Sequence, residues 1–166
     1  MFTKLFFQKP AFINRPARLM NAALFVMGIT LLAACNPSAK TPKEIWVGTW
    51  ATSPQLVEPH NMPPEPGLSN NSLRQIVRVS IGGDSMRVRF SNEFSASAVT
   101  IKGAQIAVST GGSSIDTATI VPLTFNKLPE VTMQPGGLVV SDAFLFNVAP
   151  RTDLAITLFF GETAPD

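Results

Sequence analysis

The 166-residue chain predicts an all-β fold: an antiparallel β-sandwich or jelly-roll-like domain after an N-terminal signal segment. Three observations carry that expectation. Apolar residues after Cys35 recur every second position, the period of strands with one buried face. Gly- and Pro-containing turns cut the chain into short runs, as in sandwiches and barrels. No apolar stretch after Cys35 keeps a 3.6-residue period over helix length. The 132 residues from Cys35 onward can bury about two-thirds of their unfolded surface, enough for one core.

Residues 1–34 read as a secretory signal, with a basic start and an apolar run from Ala22 to Ala34. That run is shorter than the roughly 20 apolar residues an ordinary spanning helix needs. It ends in Leu32-Ala33-Ala34-Cys35, which resembles the lipobox of bacterial lipoproteins. The resemblance implies acylation of Cys35 and membrane anchoring through it, in the bacterial cell envelope. Asn36 after the cysteine points to the outer membrane by the same resemblance. The alternative is a plain secreted protein with a small apolar cysteine near its cleavage site. A single cysteine allows no intrachain disulfide, so the domain rests on its core. Lys4, Lys9, Arg15 and Arg18 precede Cys35 with no acid among them. From Cys35 onward nine Lys and Arg face eleven Asp and Glu, a formal charge of −2, which gives no basic footprint for nucleic acid.

Residues 35–43 form a polar tether and 44–161 the sandwich domain. Glu44 to Ala51 favours a strand, with Trp46 and Trp50 expected on one face as core packing or as a sugar-stacking platform. Five prolines make 52–72 a loop. His60, the only histidine, lies in it with no second His or Cys to complete a ligand set, so neither a metal site nor a cofactor is expected.

The clearest alternation runs from Leu73 to Ser91. Val77, Val79 and Ile81 alternate with Arg78 and Ser80, then Met86, Val88 and Phe90 with Arg87 and Arg89. It predicts a hairpin over 74–92 that turns at Gly82-Gly83 or Gly83-Asp84 through positive φ angles. Its outer face would carry Arg74, Arg78, Arg87 and Arg89. Such a face is either solvated and ion-paired, or a docking surface for an acidic partner or anionic ligand. Further strands are expected over 99–108 (one, kinked at Gly103, or two), 120–125, 131–133, 138–148 and 154–160, with turns at 111–114, 134–137 and 150–153.

Gly83-Asp84-Ser85 spells the start of an esterase nucleophile motif. A nucleophilic serine needs a base to take its proton and donors for the oxyanion. In the Gly-Asp-Ser hydrolases that this tripeptide resembles, the serine opens a helix and the base comes from an Asp-x-x-His segment. Here Ser85 opens a strand pattern, and Val57 stands where such a segment ending at His60 would have its aspartate. No catalytic residue is expected in this chain.

The ordered pieces Trp46-Val47-Gly48-Thr49-Trp50-Ala51-Thr52-Ser53-Pro54-Gln55, Leu73-Arg74-Gln75-Ile76-Val77-Arg78, Gly82-Gly83, Met86-Arg87-Val88-Arg89-Phe90-Ser91-Asn92-Glu93-Phe94, Leu123-Thr124-Phe125, Pro135-Gly136-Gly137, Ser141-Asp142 and Asp153-Leu154-Ala155-Ile156 span most of the chain from Trp46 to Phe160. The set resembles the N-terminal β-domain of secreted bacterial SGNH/GDSL-type hydrolases. In those esterases an α/β catalytic domain follows, so 162–166 is expected to start a linker to a catalytic domain this chain lacks. The resemblance implies a lipid-anchored accessory domain of an ester hydrolase. The alternatives are a stand-alone module binding envelope glycan or protein, with Trp46, Trp50, Arg78, Arg87 and Arg89 as its contact residues, or an enzyme with an unrecognised site.

Overall fold

A computed structural model of the chain describes residues 2–8, 45–53, 55, 56 and 58–162. Cys35, Asn36, the apolar run 22–34, the tether 35–43 and residues 163–166 lie outside the described residues.

Eleven strands are present among them: β1 (Phe2–Gln8), β2 (Trp46–Ala51), β3 (Ser72–Arg78), β4 (Gly83–Ser91), β5 (Val99–Gly111), β6 (Ser114–Ile115), β7 (Val121–Leu123), β8 (Val131–Met133), β9 (Leu138–Val140), β10 (Phe144–Val148) and β11 (Asp153–Phe160). Every pairing is antiparallel. The first sheet runs β10-β4-β1-β2, with β9 beside β10 on the same edge of β4. The second runs β3-β11-β5, and β6, β7 and β8 share the far edge of β5. The two sheets pack face to face, so the chain is an all-β sandwich.

The core comes from the inward half of each alternation. Leu5 and Phe7 of β1, Met86, Val88 and Phe90 of β4, Ile101 and Ile106 of β5, and Leu154, Ile156 and Leu158 of β11 are all buried in one cluster. Each such side chain contributes roughly 1.5–3 kcal/mol when removed from water. β11 lies between β3 and β5, and its outward Ala155 and Thr157 are buried too.

Two expectations need correction. The stretch 74–92 is not a hairpin: β3 pairs with β11 in the second sheet, whereas β4 pairs with β1, β9 and β10 in the first. Alternation marks which side of a strand is buried. It does not say whether the next strand lies alongside or across the core. Nor do Gly82 and Gly83 supply positive φ angles. They are small because other groups approach closely. A β-carbon on Gly82 would press on the Val148 carbonyl oxygen and lie 2.9 Å from the Pro150 nitrogen, and one on Gly83 would lie 2.6 Å from the Phe7 ring.

Phe2–Gln8 lies inside the span read as a leader, and here it forms the strand between β4 and β2. The sandwich thus reaches beyond 44–161. Residues 99–111 form one strand, irregular where Phe159 and Phe160 pair with Gly103 and Ile101.

Gly82→Ala should lower the urea midpoint, costing about 1–3 kcal/mol because packed backbone must move. Gly48→Ala, where an added methyl meets nothing within 4 Å, should leave the midpoint within about 0.5 kcal/mol of the parent.

Candidate functional site

Because Met86, Val88 and Phe90 point inward, Ser85, Arg87 and Arg89 project from the outer face of the first sheet. The register surrounds them with neighbours on the same side. Phe6 of β1 stands opposite Arg87, and Lys4 opposite Arg89. Val140 and Leu138 of β9 face Arg89 and Ser91, and Leu145 of β10 faces Ser85. Leu145 is 81% exposed, the most open large apolar side chain of the described residues.

The Arg87 guanidinium carbon lies 4.4 Å from the Trp46 ring centroid and 5.3 Å from that of Phe6. Both rings attract the cation through their π faces. Its Nε is buried without a hydrogen-bond partner, and neither Arg87 nor Arg89 forms an ion pair among the described residues. Beside them Lys4, Phe6, Gly48, Thr49, Trp50 and Ala51 line an open depression of about 340 Å³. Arginine and aromatic residues are enriched where proteins meet, and this face offers both beside exposed aliphatic side chains.

The expected arginine face is divided between the sheets. Arg78 lies on the outer side of the second sheet, where its Nε and Nη2 each donate to Asp153 at 2.7 Å. Arg74, on that same side, donates to Thr157 Oγ1 at 2.8 Å and to the Ser113 carbonyl at 2.6 Å. The two tryptophans separate as well. The register between β1 and β2 shifts at Thr49, so Trp50 stands opposite the buried Leu5 while Trp46 stands opposite Gln8 on the face of Lys4 and Phe6. Trp50 packs against the core. The bulge reverses the side-chain parity that a regular strand would keep.

Ser85 sits within β4, as its alternation implies, and the neighbouring Asp84 accepts a hydrogen bond from Asn147 at 3.1 Å. His60 belongs to a short 3-10 turn, Pro59–Asn61, and its Nε2 lies 3.5 Å from a Glu58 carboxylate oxygen. Among the described residues no group of three or more His, Cys, Asp or Glu is placed to hold a metal.

Several residues of the ordered set quoted above hold loops. Asn92 Nδ2 donates to the carbonyls of Ser97 at 2.8 Å and Gln134 at 3.2 Å, while its backbone exchanges hydrogen bonds with Gly136 and Gly137. Ser141 Oγ accepts from the Val88 N–H at 2.9 Å. Asp142 accepts from Thr124 Oγ1 and from the Asn126 and Lys127 N–H groups, bracing a turn in which Asn126 and Lys127 both have positive φ. Those bonds, led by the one from Thr124, hold the Asp142 carboxyl below its ordinary pKa. The hydrogen bond from Arg78, aided by its charge, does the same for Asp153 and raises Arg78.

Lys4, Phe6, Leu138, Val140 and Leu145 join the site without being singled out by sequence. For Leu145 the signal was present, since it alternates out of phase with the buried Phe146 and Val148. For Lys4 and Phe6 it was masked by the leader-like composition around them. No protein-family model matches the chain, and no curated protein matches it.

The Arg78–Asp153 pair sets a pH dependence. The carboxyl's folded pKa lies below its unfolded one, so its stabilisation is full above the unfolded value of about 3.9 and fades as pH falls through the folded value. Asp153→Asn should therefore lower Tm at pH 7, and the gap to the parent should close as pH drops below about 4 in a series of thermal melts.

Proposed function

We propose that the chain is a lipid-anchored accessory β-sandwich of an SGNH/GDSL-type ester hydrolase. In this reading an acylated Cys35 holds it at the bacterial envelope, and the catalytic residues lie in an SGNH-type domain outside these 166 residues. The observation that supports it best is the outer face of the first sheet. Arg87 and Arg89 lack ion-pair partners among the described residues and stand among Trp46, Val140 and Leu145. Such a face suits a protein surface that presents carboxylates beside apolar groups.

The surroundings of Ser85 favour the accessory role. Ser85 lies within a strand opposite Leu145, and the imidazole of His60 lies beside Glu58. The stand-alone glycan-binding alternative is less well supported, because the two indoles do not form one platform: Trp46 stands on the outer face and Trp50 packs against the core. Acyl chains on Cys35 would each add about 0.8 kcal/mol of membrane affinity per buried methylene.

Metabolic labelling with an alkyne analogue of palmitate should mark the parent chain and leave Cys35→Ala unlabelled. Arg87→Glu with Arg89→Glu should weaken co-purification with a co-expressed SGNH-type catalytic polypeptide about tenfold or more while the far-UV circular dichroism stays unchanged. Ester turnover by this chain alone, abolished in Ser85→Ala, would overturn the proposal.

A further inference from the structure

The strand most exposed to loss is β1. It fills the space between β4 and β2, pairing with both, and β2 has no other strand partner among the described residues. Without it the edges of β4 and β2 would face each other across a gap one strand wide, about 10 Å at the usual spacing. Thr49 would still tether β2, since its Oγ1 and carbonyl bond Ser80 and Ile81 independently of β1. Removal of residues 1–34 as a leader would open this gap.

The present occupant fits in part. Leu5 and Phe7 are buried, and the Phe7 ring lies on Gly83, where no side chain intervenes. Two positions fit badly. Thr3 is 1% exposed and its hydroxyl has no hydrogen-bond partner among the described residues, a cost that an apolar side chain would avoid. Lys4 stands directly opposite Arg89, a like-charge cross-strand pair that destabilises, whereas a carboxylate there would stabilise.

We propose that β4 and β2 form a strand-acceptor groove for an extended segment of a partner polypeptide. Its matching sequence carries an apolar residue, an acid, an aliphatic residue and two aromatic residues at the positions of Thr3, Lys4, Leu5, Phe6 and Phe7, the first aromatic keeping the contact with Arg87. A second copy of the chain is a poorer donor, because it brings the same Thr3 and Lys4. Main-chain hydrogen bonds to two strands supply affinity, and the inward pockets supply selectivity. The in vivo vacancy rests on the leader reading; the groove itself does not.

The test uses the full chain with a specific protease site inserted between Lys9 and Glu44, folded and then nicked. Fluorescein-labelled heptapeptides are added and followed by anisotropy. The peptide Phe-Thr-Lys-Leu-Phe-Phe-Gln should exchange into the groove. The same peptide with Thr3→Val and Lys4→Glu should bind about tenfold tighter, and one with Leu5→Asp should not bind. In a nicked Gly83→Ala chain the parent peptide should lose affinity and a Phe7→Ala peptide should regain it. Failure of both the parent and the Val/Glu peptide to exchange, or equal binding by these two, would overturn the proposal. Envelope-extracted protein whose mass still includes Phe2–Gln8 would refute the leader reading and the vacancy in vivo. It would leave the peptide affinities as measured, so the two failures are distinguishable.

Discussion

The passage from Arg78 to Gly83 constrains everything else in the sandwich. Within these few residues the chain leaves the second sheet and enters the first, and its backbone polar groups must find partners on the way. The Val79 N–H donates to the Thr152 carbonyl at 3.0 Å, and the Val79 carbonyl accepts from Arg151 at 2.8 Å, both from the loop that leads into β11. On the other side Thr49 of β2 bonds Ser80 and Ile81 through its hydroxyl and carbonyl. The passage is therefore stitched to both sheets. Gly82 then presses against the backbone of Val148 to Pro150 too closely for any side chain.

That passage also decides the electrostatics. A hairpin would have gathered four guanidiniums on one surface. The crossing sends Arg74 and Arg78 to one side of the molecule, where Thr157, Ser113 and Asp153 receive their hydrogen bonds. Arg87 and Arg89 go to the other side, where Arg87 rests on aromatic rings and neither has a carboxylate among the described residues. Residues that share a sequence motif thus carry different work: ion-paired support on one sheet, and an open cationic surface on the other.

Most strands after Trp46 are legible in the sequence, because a buried face imposes its period of two directly on residue choice. Val131–Met133 and Asp153–Phe160 appear close to where their apolar residues and bounding turns put them, and the run expected over 138–148 divides into Leu138–Val140 and Phe144–Val148. Pairing partners are less legible, since Val77 and Val88 would be buried equally well side by side or across a core. The separation of Trp46 from Trp50 depends on a one-residue bulge at Thr49, which leaves no mark on composition. Phe2–Gln8 was hidden for a different reason: its Lys4, followed by further basic residues and an apolar run, matches a leader as readily as a strand.

The division of the tryptophans has an optical consequence. The chain contains no tyrosine and two tryptophans, so its near-ultraviolet emission arises essentially from two indoles. One is lodged against the hydrocarbon interior, and the other lies over a guanidinium at the periphery. Replacing either with phenylalanine would leave a single chromophore, reporting on interior packing in one case and on the cationic surface in the other. The molecule thus carries two separable spectroscopic probes, one for each side of its first sheet.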